Sequence, residues 1–244
     1  MSQDSKSSTE NKKKDTPFRR NMKVVLQLLA LLIVLPLLGT FLLVVVYKFV
    51  PVTNTPFMRD LARKNNVEVT QKWVPLSQIS KQLPLAVVSS EDNLFTKHNG
   101  FCWSAIEKAY KNNKKGKKVH GASTISQQTA KNVFLWNSRS WARKGFEVVV
   151  TVMIEAVWGK ERIMEVYLNV VEYGPGLYGA EAASRHFFRH SAKNISSSEA
   201  ALMAAVMPNP VRMKINAPSP YVLRRQAHIQ SLMRKIGKVN YNNN

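Results

Sequence analysis

The sequence predicts an all-α protein, with a single N-terminal transmembrane helix followed by a helical domain. Three observations predict it. Val24 to Tyr47 holds no charged residue. From Leu85 onward the apolar pattern is mostly helical, and no stretch sustains the two-residue alternation of a half-buried strand. Ser196-x-x-Glu199, ahead of an Ala/Leu/Met run, is a capping box that opens a helix. The 244 residues leave room for one or two domains, and a content of 45% hydrophobic and 21% charged residues excludes a wholly disordered or fibrous chain.

The uncharged run comes first. Its 24 residues reach roughly 36 Å as a helix, against a bilayer core of roughly 30 Å. A cleaved signal peptide would have a shorter apolar region and a small-residue cleavage site, and no such site follows. Pro36 is tolerable in a membrane helix. Lys12-Lys13-Lys14, Arg19-Arg20 and Lys23 crowd the N-terminal flank. The positive-inside rule therefore predicts a cytoplasmic tail over 1–23, an anchor over 24–47 and the remainder outside.

That placement gives the charge its meaning. The chain carries 36 Lys and Arg against 15 Asp and Glu, and residues 51–244 hold 28 and 12 of these. Such a balance favours an anionic partner. Outside the membrane, lipid head groups or a lipid-linked phosphate are nearer than nucleic acid. The single cysteine, Cys102, excludes an intrachain disulfide and any Cys-based metal centre.

Residues 48–84, punctuated by Pro51, Pro56, Pro75 and Pro84, read as a connector and membrane-proximal segment. Residues 85–239 read as the main domain and 240–244 as a frayed tail. The stretch 111–120 is a basic loop. Glu147 to Asn169 is one long helix or two abutting ones, with a break near Gly159. Val148 to Val157 is apolar almost all round, which predicts a central place in the core. Tyr173-Gly174-Pro175-Gly176 is a turn. Pro208-Asn209-Pro210 ends the helix begun at Ser196, and Arg224-Arg225 begins the last one.

Several segments hold residues fit for chemistry. Glu91 and Asp92 follow the apolar Leu85–Val88 and, on a helix, point about 100° apart, so one of them at most faces a given cleft. Acids favouring the helix dipole would look the same. Ser123 is a plausible N-cap, and Thr124, Gln127, Gln128 and Lys131 then share one face. That stripe suits sugar hydroxyls or a phosphate, and equally an ordinary wet surface. Phe134, Trp136, Arg139, Trp141, Arg143, Lys144 and Phe146 interleave rings with cations, as at a membrane interface, and Glu147 adjoins them. Lys160 to Asn169 mixes ion-pairing charges with the core residues Ile163, Val166 and Tyr167. No H-E-x-x-H, Ser-x-x-Lys, Lys-Thr-Gly or phosphate-binding glycine pattern occurs.

Taken together the blocks are specific. Glu91-Asp92-x-x-Phe95-x-x-His98-x-Gly100-Phe101, Gly121-x-Ser123-Thr124-x-x-Gln127-Gln128-x-x-Lys131-Asn132, Arg143-Lys144-x-x-Glu147 and Lys160-x-x-Ile163-x-Glu165-x-Tyr167-Leu168-Asn169 occur in that order. Over roughly residues 80–235 they resemble the signature blocks of glycosyltransferase family 51, the peptidoglycan glycosyltransferases. One membrane helix and no transpeptidase motif resemble its monofunctional members. The resemblance implies a lysozyme-like, two-lobed helical fold. It implies polymerisation of lipid II into β-1,4-linked glycan, with inversion and release of undecaprenyl diphosphate. By matching position it implies Glu91 as general base and Glu147 as the second acidic residue. Ser123, Thr124, Gln127, Gln128 and Lys131 would line the donor site, and Arg139, Arg143 and Lys144 would meet the diphosphate. It places the chain in a bacterial inner membrane with the catalytic domain in the periplasm, among lipid II, the growing glycan and other cell-wall synthesis and division proteins. No cofactor is required, and a divalent cation, Mg or Mn, is compatible with Glu147 near the diphosphate. Cys102 departs from the Asp that monofunctional members often carry after Gly-Phe.

The chemistry fits these residues independently. A diphosphate leaving group needs positive charge to hold it, and a sugar hydroxyl needs a base. Two other readings remain at this point: a lysozyme-like hydrolase using Glu91 as acid, and a non-catalytic membrane-anchored lipid-binding module. A neutral glycosidic bond needs no diphosphate clamp, which separates the first of these from a transferase.

Overall fold

The computed structural model describes residues 17–114, 123–138 and 140–241. The lysines at 12–14, most of the basic loop, Gly121, Arg139 and the last three asparagines lie outside the described residues. The chain divides into two units, with the boundary between Thr40 and Phe41.

The first unit is most of α1 (Pro17–Tyr47). Asn21–Tyr47 is long and apolar enough to cross a membrane by length and composition. Its leucines and valines are exposed almost all round, as expected of a helix whose solvent is lipid. Pro36 sits inside the helix, and the Thr40 hydroxyl donates to its carbonyl at 2.8 Å.

The second unit is helical with a small sheet. The helices are α2 (Pro56–Asn65), α3 (Gln82–Glu91), α4 (Trp103–Lys114), α5 (Ile125–Phe134), α6 (Trp141–Val170), α7 (Ala180–Phe188), α8 (Ser197–Val206) and α9 (Pro220–Ile236). Strands β1 (Thr70–Gln71), β2 (Glu172–Gly174) and β3 (Leu177–Tyr178) form a sheet ordered β1-β3-β2, with β1 parallel and β2 antiparallel to β3. The expected turn at 173–176 is the tip of that β2–β3 hairpin, too short to show alternation.

The stretch read as a connector is largely ordered structure. Thr55 caps α2, accepting from Met58 N at 3.2 Å, and α2 packs on α5. Beyond it, the fully buried Asn169 accepts from Val74 N at 3.0 Å and donates to Val74 O at 2.9 Å. Leu76 N donates to Glu165 at 2.7 Å. These bonds fasten residues 70–76 to α6. Arg162, which also pairs with Glu165, and Trp158 bind the last turn of α1: Trp158 donates to Val44 O at 2.7 Å and Arg162 to Tyr47 O at 2.7 Å. Donors there satisfy carbonyls that a helix end leaves open. Arg162 and Glu165 of the Lys160–Asn169 block are thus structural, as is Lys160, which donates to Glu155 at 2.7 Å.

The core joins α3, α8, α9 and the second half of α6. In α3 every residue from Leu83 to Ser89 is buried. The capping box at α8 is present, Ser196 accepting from Glu199 N and Glu199 accepting from Ser196 N, and the helix ends at Val206 before Pro208. Gly159 breaks α6 with φ 72° and ψ 167°, a conformation essentially reserved for glycine. The segment Val148–Val157 departs from expectation. Val150, Thr151 and Ile154 are buried, but Val148, Val149 and Val152 are exposed. An apolar circumference did not mean a buried one. The tail departs too: Tyr241 packs against the core.

Candidate active site

Glu91 ends α3 where the chain leaves the core, since Asp92 at φ −160° and ψ 80° is no longer helical. Glu91 is the better-exposed of the two adjacent acids, with 15% of its side chain accessible against 4% for Asp92. Its Oε1 accepts from the Ser90 hydroxyl at 3.1 Å and from Arg225 Nη2, on α9, at 3.4 Å. Its Oε2 accepts from Gln128 Nε2, on α5, at 3.2 Å. The sequence shows few cations near Glu91; Arg225 arrives from 134 residues away.

Asp92 turns the other way. Its carboxylate meets His98 Nε2 at 3.0 Å and accepts from Ile125 N, the first residue of α5, at 3.1 Å. An acid at a helix N-terminus is favoured there. Asp92 therefore joins α3 to α5 and sets Gln128 against Glu91.

The polar stripe of α5 is only partly available. The N-cap is Thr124, not Ser123, because the glutamine three residues on that completes a capping box follows Thr124. Thr124 Oγ1 accepts from Gln127 N and donates to Gly100 O at 2.6 Å. Gln127 Oε1 accepts from Thr124 N at 3.0 Å. Both residues are buried, and the Thr124 hydroxyl and Gln127 Oε1 are engaged in the cap, while Thr124 still lines the cavity beside Glu91. Gly100 makes the contact possible: at φ +86° its hypothetical Cβ would lie 2.8 Å from Thr151 Cγ2. Ser123 is exposed. It lines, with Ser89, Glu91, Cys102, Thr124 and Lys235 among others, a cavity of about 380 Å³.

One turn further along α5 lies a cationic group. Ser140 caps α6, accepting from Arg143 N at 3.2 Å. Arg143 donates to Ser138 O at 2.6 Å and to Glu147 Oε2 at 2.7 Å, and Lys144 donates to Glu147 Oε1. Glu147 is 3% exposed, so it is a buried acid neutralised by two cations. Lys131 lies over the Phe57 ring of α2, 4.9 Å from its centroid. Burial pulls the Lys131 ammonium below the usual lysine range; Glu147 opposes the fall, and Arg143 and Lys144 add to it. Such a cation gains from an anion more than one in water does.

Gln128 and Lys131 are three residues apart on α5, neighbours on one helix face. That face thus carries the partner of Glu91 and, about 4.5 Å further along the axis, the edge of the cation group. Arg139, expected with those cations, lies outside the described residues. Among the described residues no cluster of three or more His, Cys, Asp or Glu could hold a metal ion. Glu147 is paired with the cations Arg143 and Lys144, whose charges oppose a metal ion beside it.

Sequence reading missed the grip on Glu91. Arg225 was a charge at a helix start, and Tyr167, whose hydroxyl donates to Gln128 Oε1 at 3.1 Å, was a core residue. No local pattern announces either contact.

Known proteins bear on this geometry. A family model described as Transglycosylase matches residues 59–234. A protein of Pasteurella multocida is 50% identical over 80% of this chain and 82% of its own. One of Bdellovibrio bacteriovorus is 53% identical over 76% of each. One of Shewanella oneidensis is 48% identical over 90% of this chain and 96% of its own. Each of the three bears the name biosynthetic peptidoglycan transglycosylase.

Proposed function

The chain belongs to the transglycosylase family and is a peptidoglycan glycosyltransferase, and from that premise we propose that it polymerises lipid II with Glu91 as general base. One observation carries the reading: α5 brings a carboxylate held by Gln128 and a cation group built on Lys131, Arg143 and Lys144 onto adjoining turns.

The acceptor is a sugar hydroxyl of one lipid II. Glu91 takes its proton as the oxygen forms a bond to the anomeric carbon of the donor, the growing glycan chain. The bond from that carbon to the diphosphate breaks, and its electron pair leaves on the diphosphate oxygen. Attack opposite the leaving group inverts the carbon and yields the β-1,4 linkage. Charge develops on the diphosphate, where Lys131, Arg143 and Lys144 hold it, with Arg139 assigned there by resemblance. Glu147 keeps Arg143 and Lys144 in place. Ser123 and Gln128 contact the sugars, and Thr124 and Gln127 shape the site by capping α5. The reaction runs without a resident cofactor. The residues around Glu147 do not fit a protein-held divalent ion, so a Mg or Mn ion on the diphosphate would be carried by the substrate, and no step is assigned to it.

Beside the cations the surface is apolar. Trp141 is 92% exposed, and Trp136, Phe146, Val148, Val149 and Val152 are exposed with it. Rings and cations of this kind suit the head-group level of a bilayer. We place this face on the membrane, where a lipid-linked substrate enters. With α1 as a single-pass anchor and a cytoplasmic N-terminus, the domain works in the periplasm beside other cell-wall synthesis and division proteins.

The test is product analysis. Full-length protein given labelled lipid II should release undecaprenyl diphosphate and form a glycan ladder on a gel. Shortening of preformed glycan without polymer would establish hydrolysis, and binding without turnover would establish a binding module.

A further inference from the structure

We infer that Tyr167 is a positioning residue for the base, acting through Gln128, and that Oε2 of Glu91 is the atom that receives the proton. The inference rests on Glu91 being the base.

The hydrogen bonds form a directed chain. Tyr167 is fully buried, and its hydroxyl donates to Gln128 Oε1 at 3.1 Å. A carboxamide has one acceptor end and one donor end. Fixing the oxygen of Gln128 on Tyr167 turns its NH₂ toward Glu91, where Nε2 donates to Oε2 at 3.2 Å. With the amide reversed, a carbonyl oxygen would face a carboxylate oxygen and the Tyr167 hydroxyl would lose its acceptor. The tyrosine thus selects one of two amide orientations, the one that holds the base.

The two oxygens of Glu91 are unequally used. Oε1 meets two donors, the Ser90 hydroxyl at 3.1 Å and Arg225 Nη2 at 3.4 Å. The same Arg225 nitrogen donates to Ser90 Oγ at 3.0 Å, so Ser90 is oriented from behind. Oε2 meets one donor, Gln128. A carboxylate oxygen has two lone-pair sites. Oε1 has both filled and Oε2 has one open, so the acceptor hydroxyl delivers its proton to Oε2. The groups facing Glu91 come from α9 (Arg225), α5 (Gln128), α6 (Tyr167) and its own helix (Ser90); the adjacent carboxylate of Asp92, just past the helix, turns away to His98 and Ile125. Lys235 of α9 lines the same cavity.

The experiment is a double-mutant cycle on full-length protein with labelled lipid II. Tyr167→Phe removes the hydroxyl and keeps the ring. Gln128→Met removes the amide and keeps the length. Each should lower kcat about tenfold, the scale of one lost hydrogen bond to a charged group. KM should stay unchanged in Tyr167→Phe, which touches no substrate, and should rise only in Gln128→Met, which also loses a sugar contact. The double variant should be no worse than either single, because the two act as one device. A merely structural hydroxyl would lower thermal stability and leave kcat per folded molecule unchanged. Wild-type kcat in Tyr167→Phe, or losses that multiply in the double variant, would overturn the inference. Should Tyr167→Phe not fold, Gln128→Met decides alone, and full activity there overturns it. Glu91→Gln runs alongside: activity in that variant would overturn the base assignment itself, whereas an inactive Glu91→Gln with a normal Tyr167→Phe would overturn only the relay.

Discussion

Lys131 sits in surroundings unlike those of an exposed lysine. It is partly buried, lies over Phe57 and shares its surroundings with Arg143, Lys144 and Glu147. Lys131→Ala should lower turnover about a hundredfold or more, the range for one lost charge-stabilising donor. Its lowered pKa also has a direction. As pH rises, Lys131 loses its proton sooner than an ordinary lysine, and the clamp loses charge. Activity should therefore fall on the alkaline side, and Lys131→Arg, which stays charged, should move that limb to higher pH. Rate profiles of the two proteins between pH 7 and 10.5 check this; superimposable alkaline limbs would remove Lys131 from the clamp. At this scale the sequence was legible where neighbours in the chain are neighbours in space. The pairing of Arg143 and Lys144 with Glu147 follows from spacings of four and three on one helix. Arg225, Gln128 and Tyr167 around Glu91 come from three other helices, and no periodicity encodes that meeting.

Element boundaries were written in caps. Ser196 with Glu199 announced α8, and Thr124 with Gln127 announced α5 one residue later than the Ser123 reading had it. Ser196→Ala should cost about 1 kcal/mol, measurable by denaturant unfolding. His190 adds a pH dependence near this cap. Its ring is held above the ordinary histidine range first by the Ser191 carbonyl and then by Glu199, 3.0 Å from Nε2. A raised folded-state value means stability that is whole below the ordinary value near 6.5 and lost as pH rises through the raised one. His190→Ala should thus cost more at pH 5.5 than at pH 8.5, by under about 1 kcal/mol because the pair is partly exposed. Equal losses at both pH values would contradict the pairing. Gly159 is the other legible element feature. Gly159→Ala, forced to φ 72° and ψ 167°, should cost about 1–3 kcal/mol in thermal unfolding.

Over the whole molecule, the all-helical plan and the apolar N-terminal helix were plain in the sequence, and the orientation of α6 was not. A run such as Val148–Val157 reads the same when one face packs on protein and the other is left to lipid, because both surroundings are apolar. Exposed Val148, Val149 and Val152 beside Trp141 give the domain a face that water does not favour. Trp141→Asp with Val152→Asp should slow polymerisation of lipid II in vesicles about tenfold and spare a short-chain, soluble analogue in detergent. Equal rates on both substrates would detach this face from the membrane. The basic excess of residues 51–244 belongs to the same scale: on the proposed reading, a domain held beside anionic lipid and diphosphate gains from positive charge wherever it faces them.

The central claim is the division of labour between two carboxylates: Glu91, held by Gln128 and Arg225 beside a cavity, and Glu147, buried between two cations. The measurement that tests it most directly is the polymerisation rate of Glu91→Gln and Glu147→Gln on labelled lipid II, with lipid II binding measured on the same samples. Glu91→Gln should bind lipid II and form no polymer above background, while Glu147→Gln should be severely slowed yet leave a measurable trace. More activity in Glu91→Gln than in Glu147→Gln would contradict the assignment and exchange the two roles.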